Sequence, residues 1–193
     1  ATGACARGAT ASARRTRRGG ALVLASRLLQ YPGDGYIHEL RAFVELVWQL
    51  RREVPPALQA LVDDAGGQSI ATLQERYTQT FDMTPDCALE VGWHLFGEDY
   101  ARGAFLVAMR SRLRDKGLDE GTELPDHLPT LLALVTRLDG TEADALVATT
   151  LVPAIDRILA ALRKSASPFE SLLQAVRAVL ATGVSGIREA QHV

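Results

Sequence analysis

Cysteine is nearly missing from this 193-residue chain: it has only Cys5 and Cys87, far apart and in no CxxC or zinc-type spacing. That excludes a disulfide framework and points to a reducing compartment, the cytoplasm in the simplest reading. Aromatic residues make up only 6%, and no stretch shows the period-two alternation that a half-buried strand requires. No uninterrupted apolar run approaches the roughly 20 residues that span a bilayer, so no stable membrane association is expected. Gly-x-Ser-x-Gly, P-loop and dinucleotide fingerprints are all absent, so neither an enzyme nor a bound cofactor is expected.

Acid is missing from one place in particular. Residues 1–20 hold five of the 21 basic residues (Arg7, Arg14, Arg15, Arg17, Arg18) and none of the 23 acids, which leaves the remainder with 16 bases against 23 acids. This Ala/Gly/Arg/Thr-rich stretch reads as a disordered tail. Arg17-Arg18 followed by Ala21–Ala25 has the outline of a twin-arginine export signal. Arg27 interrupts the apolar run at once, however, and no small-residue cleavage site follows. The acidic remainder argues against a nucleic-acid partner and for a basic or polar peptide.

Leucine and alanine recur instead at spacings of three and four from Ala21 onward, and predict an all-α, single-domain bundle of about eight helices. The domain is expected over 21–182, with a flexible C-terminus over 183–193. Helices are expected over about 21–30, 35–53, from Pro55-Pro56 to Gly66-Gly67, and 69–81, where Pro85 ends the run. The longest covers about 88–116 and closes at Gly117. Three more follow over about 127–138, 142–164 with a kink or division at Pro153, and 168–182.

Three segments carry chemistry. In Tyr77-Thr78-Gln79-Thr80-Phe81-Asp82 the two rings lie four apart on one helix face, which two core aromatics also explain. In His94-Leu95-Phe96-Gly97-Glu98-Asp99-Tyr100-Ala101-Arg102-Gly103, Glu98 and Arg102 have the spacing of an intrahelical ion pair. Its two glycines cost a helix about 1 kcal/mol each relative to alanine, which suggests close approach by a neighbouring helix or a bound peptide. In Glu123-Leu124-Pro125-Asp126-His127-Leu128-Pro129 two prolines stiffen a polar loop, and Asp126 has the chemistry of an N-cap.

In this order and spacing the three segments closely resemble the NarJ-type chaperones, the delta-subunit-like assembly proteins of nitrate reductase within the wider TorD family. The resemblance covers about 21–182, is most specific at Glu-Leu-Pro-Asp-His-Leu-Pro, and includes Leu-Leu-Gln-Tyr-Pro at 28–32. It implies an all-helical cytoplasmic chaperone that binds the N-terminal segment of a catalytic subunit carrying bis-molybdopterin guanine dinucleotide. It further implies that the chaperone holds that subunit until its metal centres are inserted. The family pattern falls on Tyr77, Phe81, Asp82, Glu98, Asp99, Tyr100, Arg102, Asp126 and His127. The basic tail is not a family feature. The turn built from Pro85, Cys87 and Trp93 points to a related type II enzyme rather than a standard nitrate reductase as client.

Peptide capture in a groove needs an apolar trough, which Tyr77, Phe81, Phe96 and Tyr100 are expected to supply. Glu98, Asp99 and Asp126 are expected to select basic residues, and charge reversal at Asp126 to weaken binding without unfolding the protein. Other functions fit less well. Glu90, His94 and Glu98 lie at i, i+4 and i+8, but a di-iron bundle uses paired Glu-x-x-His motifs that are absent. Cys87 and His94 suggest a nucleophile and base only by proximity. A helix-turn-helix regulator needs a basic recognition helix, whereas the arginines cluster in the tail.

Overall fold

A computed structural model describes residues 2–119 and 121–190, with side chains at 10, 12–119 and 121–183. Among these residues ten α-helices account for nearly all regular structure: α1 Thr2–Leu28, α2 Tyr36–Arg51, α3 Pro56–Gly66, α4 Ile70–Tyr77, α5 Val91–Phe96, α6 Tyr100–Asp115, α7 Leu128–Val135, α8 Gly140–Leu146, α9 Val152–Lys164 and α10 Phe169–Ala190. The expected all-α fold is the observed one. The extended backbone pairing recorded among the described residues is one antiparallel bridge, Glu90 to His127.

The bundle assembles around α1, which packs against α2, α7 and α10, while α9 lies against α10 and α5. Spacings of three and four put Leu40, Phe43, Val47 and Leu50 on the buried face of α2, and Ile155, Ile158, Leu159 and Leu162 on that of α9. Leu22, Leu28, Leu29, Leu131, Leu132 and Leu134 are all fully or almost fully buried between them. At roughly 1.5–3 kcal/mol for each such side chain taken from water, this interior is the main source of stability.

Both terminal segments are described as helix, and two sequence expectations are corrected. Within the segment read as a disordered tail the described backbone is helical from Thr2 onward, as part of α1. Its alanines and arginines are good helix formers, and Arg18 anchors it by donating from Nη2 to the Leu180 carbonyl at 3.1 Å, 3.8 Å from Asp144. The flexible segment expected over 183–193 is helical to Ala190, and 191–193 lie outside the described residues. The long helix over 88–116 is two helices. Gly97 stands between them at φ 59°, ψ −129°, a conformation that in practice only glycine adopts. Asp99 then starts α6 afresh, its side chain accepting from the Ala101 N–H at 2.8 Å.

The second correction concerns Gly140–Lys164, one continuous 25-residue helix long and apolar enough to cross a membrane. Reading only uninterrupted apolar runs missed it. Its apolar residues Leu146, Val147, Leu151, Ala154, Ile155 and Ile158 face the core. The disruption expected at Pro153 is absorbed by a π-helical turn over Val147–Leu151, where the Val152 N–H reaches back five residues to the Val147 carbonyl.

Arg18 joins the middle of α1 to the middle of α10. Arg18→Ala is therefore expected to lower stability by about 1–2 kcal/mol in denaturant titrations. It should also speed amide exchange across residues 12–20, whereas unchanged exchange there would show that the anchor is idle.

Candidate functional site

The loop Leu124–Leu128 is stitched to the start of α5 along both strands of backbone. The Val91 N–H donates to the Asp126 carbonyl at 3.0 Å and the Leu128 N–H to the Leu89 carbonyl at 2.8 Å. Between them the Gly92 N–H donates to Asp126 Oδ2 at 2.7 Å. Asp126 thus caps the first turn of α5 from a distance of 34 residues in sequence. A Cβ on Gly92 would lie 2.7 Å from that oxygen and 3.0 Å from the Phe105 ring, so only glycine fits.

Asp126 is completely buried, and its Oδ1 has no hydrogen-bond partner among the described residues. Burial pushes its carboxyl above the ordinary range, against the pull of the Gly92 N–H and the positive Arg102. Asp126 therefore stands behind the surface at which a basic ligand would arrive. It holds the loop in place, and reversing its charge would bury an unpaired cation.

What the stitch positions is a cavity of about 740 Å³. Its lining includes Tyr31, Tyr77, Phe81, Asp82, Glu90, Asp119, Glu123 and His127. The floor is aromatic. Tyr77 meets Tyr31 edge-on at 5.7 Å and Phe81 at 5.0 Å, and Phe81 meets Phe169 at 4.9 Å. The Tyr77 hydroxyl donates to the Leu29 carbonyl at 3.1 Å, which ties α4 to the end of α1. A π-helical turn over Thr78–Asp82 follows α4, with the Met83 N–H donating to the Thr78 carbonyl at 3.0 Å. The extra residue leaves Phe81 buried and the adjacent Asp82 exposed at the cavity.

Among the described residues four carboxylates surround this floor: Asp82, Glu90, Asp119 and Glu123. His127 is the only basic one among the described residues of the lining. Burial depresses its imidazole below the ordinary value, while Glu123, Glu90, Asp126 and Asp82 pull it back up. Burial also raises the Tyr77 phenol, and Asp82, Glu123 and Glu90 add to the effect. The cavity is thus apolar at its base and negative at its mouth, an arrangement that favours a cationic group with an apolar stem.

Of the ten residues expected at a client site, the structure brings Tyr77, Phe81, Asp82 and His127 together, with Asp126 behind them. The other five lie elsewhere. Phe96 packs on Phe105 at 5.3 Å, and the Arg102 guanidinium sits 5.6 Å from the Trp93 ring centre. Asp99 caps α6, Glu98 is exposed in the turn before it, and Tyr100 is 93% exposed. The single trough expected from Tyr77, Phe81, Phe96 and Tyr100 is therefore split, because Gly97 redirects the chain. The same break takes Glu98 off the helix carrying His94, whose Nε2 is 2.7 Å from the Ala88 carbonyl.

Sequence reasoning did not place Tyr31, Glu90, Asp119 or Glu123 in one site. Glu90 precedes one singled-out segment and Glu123 opens another, but only the backbone bridge between 90 and 127 makes them neighbours. The close backbone approach inferred for Gly97 and Gly103 belongs instead to Gly92, since a Cβ at Gly103 would meet nothing within 4 Å.

Comparison with known proteins adds an independent finding. The family described as nitrate reductase delta subunit matches residues 49–173. Two curated proteins carry the name nitrate reductase molybdenum cofactor assembly chaperone NarJ, from Escherichia coli strain K12 and Escherichia coli O157:H7. Each is 31% identical over 126 residues, or 63% of this chain and 53% of theirs. The chain thus spans about half the length of the curated relatives it matches. Tyr31 and Gln30 lie outside the matched stretch, whereas the rest of the cavity lining falls within it.

Two outcomes are expected of the site. Asp126→Ala should cost about 1–3 kcal/mol by stranding the Gly92 N–H, whereas Asp126→Asn, which can still accept that bond and carries no charge, should cost clearly less at neutral pH. Equal losses in denaturant titrations would show that the bond is not what matters. Secondly, burial holds both His94 and His127 below the ordinary imidazole value. The unfolded chain therefore takes up protons that the folded one resists, so stability should fall as pH drops below about 6.5. Thermal melts of His127→Gln should show a shallower fall, and an identical profile would remove His127 from that dependence.

Proposed function

Since the chain belongs to the nitrate reductase delta subunit family, we propose that it is an assembly chaperone that holds the N-terminal segment of a molybdenum oxidoreductase catalytic subunit in the acidic, aromatic-floored cavity. The client is nitrate reductase or a related type II enzyme bearing a molybdopterin cofactor. Binding takes place in the cytoplasm, before that subunit's metal centres are complete. The chain holds its client rather than transforming it.

The observation that carries this reading is the pairing of Tyr31, Tyr77 and Phe81 with Asp82, Glu90, Asp119 and Glu123 around one cavity. A basic residue of the client enters stem first: its methylenes cover the rings and its charge stays among the carboxylates at the rim. Apolar residues one helical turn away then lie along the adjoining surface. Because the rim is open to water, the carboxylates chiefly set which peptide is accepted and how quickly it arrives, and the aromatic floor supplies most of the affinity.

Wild-type protein is expected to co-purify with the immature catalytic subunit and to release it once the cofactor is in place. In calorimetric titrations with a synthetic N-terminal peptide of that subunit, Glu90→Gln combined with Glu123→Gln should weaken binding about tenfold at low salt, with a much smaller difference at high salt. Co-purification only with the finished enzyme, or an affinity blind to both substitutions, would overturn the proposal.

A further inference from the structure

Helix α6 carries apolar residues on two opposite sides. One side turns inward: Met109 and Leu113 are buried, and Phe105 stacks on Phe96. The other consists of Tyr100, Gly103, Ala104, Val107, Ala108 and Ser111, spaced as one helical stripe and all exposed. Tyr100 is 93% exposed and Val107 65%. An outward helix face is normally charged or polar. Here the charges gather at the two ends. Glu98 and Asp99 stand at the N-terminal end, where Arg102 is turned onto Trp93, and Arg110, Arg112 and Arg114, followed by Asp115, stand in the C-terminal part. Lys116 is already engaged with Glu142 at 3.2 Å.

We propose that this face is the two-fold interface of a homodimer in which the α6 helices of two copies pack antiparallel. The occupant follows from the distribution of charge. Reversing one helix against the other sets the acidic end of each copy beside the basic end of its mate, twice in each dimer. A parallel pair would set like charges together. The two-fold falls between Ala104 and Val107, so the Tyr100 ring of each copy covers the region of Ser111 in the other. Gly103, Ala104 and Ala108 let the axes approach to about 8 Å, and a Cβ built at Gly103 meets only open space.

Sixteen residues of α6 give a contact about 24 Å long. One helix pair of that length stays below the roughly 1,200 Å² at which specific interfaces become stable. The dimer is therefore reversible and concentration-dependent. No residue of α6 lines the acidic cavity, so the inference stands or falls independently of the proposed client site.

Sedimentation velocity of the full chain, from low micromolar to near-millimolar concentration, tests it. The wild type should pass from monomer to dimer. Ala104→Arg and Val107→Glu, both at exposed positions, should each raise the dissociation constant at least about tenfold with unchanged far-UV circular dichroism. Glu98→Arg and Arg112→Glu should each weaken the dimer, and the two together should restore it, a result that loss of folding cannot produce. A wild type that stays monomeric throughout, or a dimer indifferent to both Ala104→Arg and Val107→Glu, would overturn the proposal. So would a monomeric wild type whose affinity for the catalytic-subunit peptide is lost in Val107→Glu, because the face would then belong to the client.

Discussion

A buried carboxylate accepting a backbone N–H from the first turn of a distant helix fixes the geometry of the site. Asp126 sits at the centre of a short loop that runs alongside residues 89–92, with its carbonyl and carboxylate both bonded to α5. Gly92 must lack a Cβ for this to happen. The consequence is that Glu123 and His127, from the loop before α7, stand next to Glu90 at the head of α5 and line the same cavity as Asp82, at the end of the π-helical turn after α4. Without that stitch these four groups would sit on separate, independently moving connections.

Two forces compete at Asp126. Burial favours the neutral acid, while the Gly92 N–H, the α5 terminus and Arg102 favour the anion. Burial has the larger effect. A loop tethered by such a group is held firmly yet at a cost to the folded state, a combination often found where position matters more than stability. The aromatic cluster on the other wall adds no such cost. Tyr77 satisfies its hydroxyl on Leu29, and its ring shares contacts with Tyr31, Phe81 and Phe169. One wall is thus held by packing and the other by a single polar tie.

The helical fold was legible because it depends on periodicity. The spacings in α2 and in the helix through Pro153 mark their buried faces directly, and Pro55-Pro56 and Ser167-Pro168 mark where helices open. What could not be read depends on tertiary geometry. Gly97 looks like one of two tolerated glycines in a long helix, and only its positive φ shows that the helix ends there. Arg18 looks like part of a charged tail until its partner on α10 is seen. Likewise Asp126 was singled out from the sequence as a site residue, but solvent exposure cannot be read from a motif. The motif order did bring Tyr77, Phe81, Asp82 and His127 into view. Glu90 and Glu123 joined them through the bridge between residues 90 and 127, and Asp119 by lining the same cavity.

Hydrogen exchange of the full chain, with and without the N-terminal peptide of the molybdoenzyme catalytic subunit, tests the central claim most directly. Slowed exchange confined to residues 77–92 and 121–130, around the stitched loop and the aromatic floor, is the predicted result. Protection on α6 or α10 instead, with those two segments unchanged, would contradict the assignment of the acidic cavity as the place where the client is held.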